Sequence, residues 1–178
     1  VFISNELSIL DTVIMPSLTL PFNDVTFIIK DDLWHYPVIG WVMQSLDFIA
    51  VHRKNPREDL KVVLDAGQHR IQQGCSVVVF PQATRSTIFD AKHFNTLGVK
   101  LARKSGVPVV PVALKTDFHG GGRWVKEIGP IYPERPIYFK FGQPIVVIGN
   151  GQAAHRSVVE FISQNLNAWG VEVRSHPA

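Results

Sequence analysis

The chain has 178 residues, a length that fits a single domain with a substantial buried core. Hydrophobic residues make up 46% of it and charged residues only 19%, a composition that excludes a disordered chain. The formal net charge of +3, from 18 Lys and Arg against 15 Asp and Glu, is too small to predict nucleic-acid binding, although it permits attraction to anionic lipid headgroups or phosphorylated substrates. No apolar run approaches the roughly 18 residues of a transmembrane helix, so none is predicted in this segment.

Strand-like and helix-like patterns alternate along the chain, which predicts a single-domain α/β fold with a mostly parallel sheet flanked by helices. In the first half, strands are predicted at residues 1–4, 24–30, 48–51 and 75–80, and helices at about residues 10–20, 33–45 and 55–74. The last of these helices has the clearest signals, with Asn55 as its cap, Pro56 in its first turn and Gly74 as its stop. Because parallel strands end at one edge of a sheet, the residues that follow them are expected to meet there.

In the second half, a helix is predicted at residues 91–105, followed by a Val- and Pro-rich strand at residues 107–114. Pro108 and Pro111 cannot donate to a hydrogen-bond ladder, so this strand is predicted to lie partly at an edge of the sheet or to be irregular. The rest is predicted as a loop at residues 116–129, a strand interrupted at Gly142 and Pro144 within residues 137–148, and an amphipathic helix at residues 152–169.

The strand of residues 75–80 leads into the turn Thr84-Arg85-Ser86, at the sheet edge where open α/β folds bind ligands. Arg85 offers a planar fork of donors that suits a phosphate group, and the hydroxyls of Thr84 and Ser86 can add hydrogen bonds beside it. The alternative is a surface turn with a solvated Arg, which is the favoured interpretation for an isolated Thr-Arg-Ser.

The turn is part of a larger pattern, because four blocks over about residues 3–115 resemble those of the PlsC-type glycerolipid acyltransferases. The first block, Asn5-Glu6-Leu7-Ser8-Ile9-Leu10-Asp11, resembles Asn-His-x-Ser-x-x-Asp, and Phe80-Pro81-Gln82-Ala83-Thr84-Arg85-Ser86 resembles Phe-Pro-Glu-Gly-Thr-Arg-Ser. Lys30-Asp31-Asp32-Leu33 with Pro37, Gly40 and Val51-His52-Arg53 is similar to the second block, and Val107-Pro108-Val109-Val110-Pro111-Val112-Ala113 to the fourth. The resemblance implies a glycerol-3-phosphate acyltransferase-like fold, and transfer of a fatty acyl group from acyl-CoA or acyl-carrier protein to the hydroxyl of a lysophospholipid or glycerol phosphate.

The resemblance also implies the catalytic pair. In the family a His, oriented by the Asp of the same block, removes the proton from the acceptor hydroxyl. Here Asp11 holds the orienting position, but Glu6 holds the position of the base. A carboxylate has a reference pKa of about 4.3 against about 6.5 for imidazole, so it is the poorer base near neutral pH.

Acceptor-phosphate binding is assigned by the same resemblance to Lys30 and Arg85, with Thr84, Ser86 and Arg53 beside them. For Arg53 a surface cation remains the favoured alternative. His35, His52, His69 and His93 lack metal-ligand spacing with Cys or carboxylates, and no metal site is predicted. No cofactor is implied beyond the acyl donor as co-substrate.

The departure at position 6 leaves three interpretations open. An impaired site is favoured over a pair in which the like charges of Glu6 and Asp11 raise the pKa of one of the two, so that they share a proton. The third is an altered residue in an otherwise active enzyme. The main rival function is a non-catalytic lipid- or acyl-binding relative, favoured by Glu6. A serine hydrolase is disfavoured, because the Gly-rich segment after His119 has no Gly-x-Ser-x-Gly elbow beside it.

PlsC-type proteins commonly carry a membrane-associating segment before the first block. Residues 1–178 are therefore expected to form the PlsC-like acyltransferase domain of a protein whose N-terminal membrane segment is missing from this sequence. The expected partners are the acyl donor, the phosphorylated acceptor and the cytoplasmic face of a membrane, without nucleic acid.

Overall fold

The computed structural model of the protein describes residues 1–8, 10–30, 48–51, 55–82, 86–120 and 129–174. Within them a six-stranded sheet carries helices on both faces. Its strands are β1 Phe2–Ser4, β2 Val25–Lys30, β3 Ile49–Val51, β4 Ser76–Val79, β6 Val110–Lys115 and β7 Tyr138–Phe141, and a separate two-stranded sheet joins β5 Phe89–Asp90 to β8 Val173–Arg174. The α-helices are α1 Asp11–Thr19, α2 Pro56–Gln72, α3 Leu97–Ser105 and α4 Gln152–Ala168.

The six-stranded sheet runs in the order β3-β2-β4-β1-β6-β7, and all neighbours are parallel except β6 and β7. The mostly parallel α/β fold predicted from the sequence is therefore confirmed. In the pairing of β1 with β4, Ile3 lies opposite Val79. The same register brings Glu6 opposite Gln82, just beyond the ends of the two strands.

Side chains alternate along the central strands, which divides the core between the two faces of the sheet. On one face Met15 of α1 packs with Phe27 and Val78. On the other face Val77 packs with Leu101 of α3 in a cluster that also includes α2. Because α1 is packed in this way, its first residue is held at the carboxyl end of β1.

The Val- and Pro-rich strand does not lie at an edge of the sheet, so that part of the prediction was wrong, but its pairing is interrupted beside Pro111. It forms β6, which lies between β1 and β7. The N–H of Val110 donates to the carbonyl of Val1 at 2.8 Å, so the nitrogen of Pro111, the next residue, is turned away from β1. On that other side the pairing with β7 begins only at Val112, and the Pro111 carbonyl still accepts from the N–H of Gly142 at 2.8 Å. The missing donor therefore falls where no ladder bond is needed.

The helix predicted at residues 91–105 is divided into a 3₁₀ turn, Ala91–His93, and α3. Between them, the buried Phe94 pairs with Gln82, and the amide of Asn95 donates to the carbonyl of Pro81. These long-range contacts to the end of β4 interrupt the helix, which the apolar spacing alone did not indicate.

The remaining strands of the six-stranded sheet and the other helices agree in kind with the prediction, whereas the small parallel sheet of β5 and β8 was not predicted. The helix predicted at residues 55–74 is α2, whose cap residue Asn55 accepts through its side chain from the N–H of Arg57 at 3.2 Å. The helix predicted at residues 33–45 lies outside the described residues. Of the helices in the described ranges, none combines the length and apolarity needed to cross a membrane.

Candidate active site

Two carboxylic acids are buried where β1 leads into α1. Glu6 is 7% exposed and Asp11, the first residue of α1, is 0% exposed. Acidic side chains are seldom buried to this extent unless hydrogen bonds or charges stabilise them. The hydrogen bonds and charges around the two carboxyl groups therefore decide whether they are protonated and what chemistry they can take part in.

The Asp11 carboxylate accepts hydrogen bonds from the loop before it and from the end of β6. Its Oδ2 atom accepts from the backbone N–H groups of Leu7 at 2.6 Å and Ser8 at 3.0 Å. Its Oδ1 atom accepts from the hydroxyl of Thr116 at 2.5 Å, and that hydroxyl in turn accepts from Ser8 Oγ at 3.3 Å. The loop between β1 and α1 is thus folded around this carboxylate.

Burial raises the pKa of Asp11 from 3.8 to about 6. The hydrogen bonds from Thr116, Ser8 and Leu7 favour the ionised form and oppose the rise, whereas the negative charge of Glu6 adds to it. The like-charge effect predicted for the pair thus has the expected direction, although burial is the larger cause. A carboxyl group with this pKa exchanges its proton close to neutral pH, as acid–base chemistry requires.

Asn5 explains how the end of β1 is held in place. Its amide nitrogen donates to the carbonyl of Leu114 at 2.7 Å, and its amide oxygen accepts from the N–H of the same residue at 2.8 Å. This two-way pairing extends the contact between β1 and β6 by one side chain. It fixes the backbone immediately before Glu6.

The backbone of Glu6 is bonded to Gln82, which lies two positions before the Thr-Arg-Ser turn, and to Ser86, the last residue of that turn. Its N–H donates to Oε1 of Gln82 at 2.8 Å, and its carbonyl accepts from the N–H of Ser86 at 3.5 Å. Gln82 is itself buried, with 5% of its surface exposed. Thr84 and Arg85 lie outside the described residues. Gln82, before the turn, and Ser86, its last residue, thus both contact position 6.

The remaining predicted phosphate-binding residues are described only in part. Lys30 is the last residue of β2 and lies opposite Val51 of β3, but its side chain is outside the described part of the chain, as is Arg53. The hydroxyl of Ser86 accepts from the N–H of Ile88 at 3.1 Å, which leaves its proton available to a ligand. In the ranges that the structure describes, no three or more His, Cys, Asp or Glu side chains form a group that could hold a metal ion.

Thr116 is a partner of the site that the sequence did not indicate. It lies in the segment predicted as a loop, 105 positions after Asp11, and nothing in the local pattern marks it. The role of Gln82 was missed as well, although there was a signal. Positions 6 and 82 both depart from the resembled blocks, and neighbouring strands bring the two departures together.

Comparison with known proteins places this chain in a family. A family model described as Acyltransferase matches residues 1–115. The chain is 30% identical over 152 residues to a 1-acyl-sn-glycerol-3-phosphate acyltransferase of Pseudomonas aeruginosa, covering 83% of this chain and 54% of that protein. It is 34% identical over 114 residues to a chloroplastic 1-acyl-sn-glycerol-3-phosphate acyltransferase of Brassica napus, covering 64% and 32%.

A solved structure has the same fold. It is that of the 1-acyl-sn-glycerophosphate (LPA) acyltransferase PlsC from Thermotoga maritima, with a TM-score of 0.64 and 24% identity, covering 99% of this chain and 67% of that one. The chain spans about half the length of the Pseudomonas relative, or less for the plant one. Since the family model matches well over half of its residues, this chain belongs to the Acyltransferase family.

Proposed function

We propose that this domain transfers a fatty acyl group from a thioester, acyl-CoA or acyl-carrier protein, to the hydroxyl of a lysophospholipid or glycerol phosphate. The names of the relatives support a 1-acylglycerol-3-phosphate acceptor. One observation carries the proposal: two carboxyl groups, Glu6 and Asp11, are buried together at the carboxyl end of β1, in the block that corresponds to the family's catalytic one. No cofactor beyond the acyl donor is proposed.

The reaction requires a base for the acceptor hydroxyl. The base takes that proton, the freed oxygen attacks the thioester carbonyl, and the donor's thiol leaves with a proton. Glu6 stands in the position of the base, and its backbone is fixed by Gln82 and Ser86. The raised pKa of Asp11 indicates that burial at this place increases the proton affinity of a carboxyl group. A pair that shares one proton can then supply a base stronger than an ordinary carboxylate.

The acceptor phosphate is assigned to Lys30, Arg85 and the hydroxyls of the Thr-Arg-Ser turn. Charge-assisted hydrogen bonds from such groups suit a phosphate, and the register of β1 with β4 supports placing the turn beside position 6. We place the reaction at the cytoplasmic face of a membrane, where a lysophospholipid is available. The net charge of +3 favours contact with an anionic surface.

A second candidate is a non-catalytic lipid- or acyl-binding relative, and one observation favours it. Glu6 replaces the family's His, and an ionised carboxylate cannot donate a hydrogen bond to Asp11. Asp11 instead accepts from Leu7, Ser8 and Thr116. The orienting group is therefore present, but it is bonded to the protein's own donors.

The Glu6→His variant distinguishes the two candidates. With Asp11 in place to orient the imidazole, we expect acyl transfer to increase by about 10² to 10⁴-fold, the range that a positioned general base supplies. The measurement is the release of free thiol from acyl-CoA in the presence of lysophosphatidic acid and detergent. Glu160→His, at an exposed position of α4, is the matched control and should change nothing.

The gain should disappear when Asp11→Asn is added to the Glu6→His variant, because the imidazole then loses its charged acceptor. If the parent already turns over as fast as Glu6→His, the carboxyl pair is the working base. If neither turns over while both bind lysophosphatidic acid, the non-catalytic candidate is correct and the acyl-transfer proposal fails.

A further inference from the structure

Two of the departures from the resembled blocks, at positions 6 and 82, are in direct contact. Position 6 has Glu where the block has His, and position 82 has Gln where the block has Glu. They are 76 positions apart, yet the N–H of Glu6 donates to Oε1 of Gln82 at 2.8 Å. Both side chains are buried. One substitution is therefore part of the environment of the other.

The contact requires an acceptor at position 82 but not a charge. The amide oxygen of Gln82 accepts the N–H of Glu6 as a carboxylate oxygen would, and it adds no negative charge beside the two buried acids Glu6 and Asp11. A carboxylate at position 82 would place a third acidic group there, at the high cost of burying like charges. Across positions 6, 11 and 82, the resembled blocks have two acidic residues, at positions 11 and 82. This chain also has two, at positions 6 and 11.

We propose that Gln82 is a positioning residue whose neutrality permits a carboxylate at position 6. Glu6 with Gln82 in this chain then has the same net charge as the His with Glu of the resembled blocks. Gln82 holds the backbone of the proposed base through its amide oxygen. It leaves Glu6 and Asp11 as the two acids that share the site. This inference rests on the proposed function for the role of Glu6, but the contact itself does not.

Other titratable groups lie on the elements packed around this contact. Lys115 and Asp117 lie on either side of Thr116, with their charged groups 3.6 Å apart. Asp90, Lys92 and His93 come shortly before Phe94, and the side chains of Asp90 and His93 are 3.1 Å apart. His155 of α4 has its ring 6.1 Å from that of Phe94. The side chains of Lys30, Arg53 and Arg85 lie outside the described part of the chain. All of these groups are common to the four variants, so their effects on Gln82→Glu cancel when the two backgrounds are compared.

A double-mutant cycle over pH tests the proposal. The four proteins are the parent, Gln82→Glu, Glu6→His and the double variant, and the measurement is urea unfolding from pH 4.5 to pH 8. In the parent background the introduced carboxyl group should have a folded-state pKa above its unfolded value. The folding constant of Gln82→Glu should then fall relative to the parent by up to about tenfold per pH unit as the pH rises through that interval.

In the Glu6→His background, the factor by which Gln82→Glu reduces the folding constant at pH 7 should be at least tenfold smaller than in the parent background. Gln82→Met, which removes the acceptor without adding charge, is the matched control, and its loss should be independent of pH and equal in both backgrounds. If Gln82→Glu alone fails to fold, folding of the double variant supports the proposal, and failure of both overturns it. An equal loss in the two backgrounds, or a loss without pH dependence, also overturns it. Unfolding needs no turnover, so this outcome is independent of the acyl-transfer assay.

Discussion

Replacing Asp11 by Asn is expected to stabilise the protein near neutral pH, although Asp11 is part of the proposed catalytic pair. The amide oxygen of Asn can accept from the N–H groups of Leu7 and Ser8, as the carboxylate does. Its NH₂ group can donate to the hydroxyl oxygen of Thr116, because that hydroxyl can rotate and point its proton in another direction. The variant therefore keeps the shape of the loop and removes only the charge.

The magnitude follows from the pKa of Asp11, which burial raises from 3.8 to about 6. A rise of about 2 units corresponds to about 3 kcal/mol, at about 1.36 kcal/mol per unit. Because the pKa is higher in the folded than in the unfolded state, this contribution to stability is fully present below pH 3.8 and is lost as the pH rises through 6. Asn does not titrate and loses nothing. The difference in unfolding free energy between variant and parent should thus grow by about 2 to 3 kcal/mol between pH 4 and pH 7.

The measurement is urea unfolding at a series of pH values and constant ionic strength, followed by tryptophan fluorescence. Only the change with pH matters, so a constant offset from altered hydrogen bonds does not affect the conclusion. Asp24→Asn, at an exposed position before β2, is the matched control. A flat difference for Asp11→Asn would refute the argument, because the Asp11 carboxyl would then not titrate near neutral pH.

Thr116→Val should raise the pKa of Asp11 further, because the lost hydroxyl favoured the ionised form, and should cost about 1.5 to 3 kcal/mol of stability at pH 8 and less at pH 5. Carboxyl ¹³C NMR follows the pKa, with Thr19→Val, whose hydroxyl donates to a carbonyl within α1, as control; an unchanged pKa would contradict the prediction. Arg85→Ala, outside the described residues, should weaken binding of a soluble lysophosphatidic acid analogue by about 2 to 4 kcal/mol, measured by calorimetric titration. Arg103→Ala on α3 is its control, and equal affinities for the two variants would make Arg85 a surface cation.

Elements with strong local signals could be predicted from the sequence. The helix α2 was predicted because Asn55, Pro56 and Gly74 mark its ends through short-range hydrogen bonding and backbone geometry. The parallel sheet was predicted because apolar strands alternate with helices. Where a distant contact competes with the local pattern, the prediction was wrong, as at Phe94, which pairs with Gln82 and interrupts a predicted helix.

For the site, the sequence by itself determined which acidic and basic groups follow apolar strand-like runs, and it predicts that Glu6, Asp11 and the Thr-Arg-Ser turn belong to one edge of the sheet. Only the tertiary structure decided which of them touch. The register of β1 with β4 puts Gln82 on the backbone of Glu6, and that of β1 with β6 puts Thr116 on Asp11. The physical reason is that strand order and register depend on packing between residues far apart in the chain, whereas hydrophobic period and capping depend only on neighbours. The raised pKa of Asp11 follows from the same packing, because it is the assembled loop, helix and sheet that exclude water from the carboxylate.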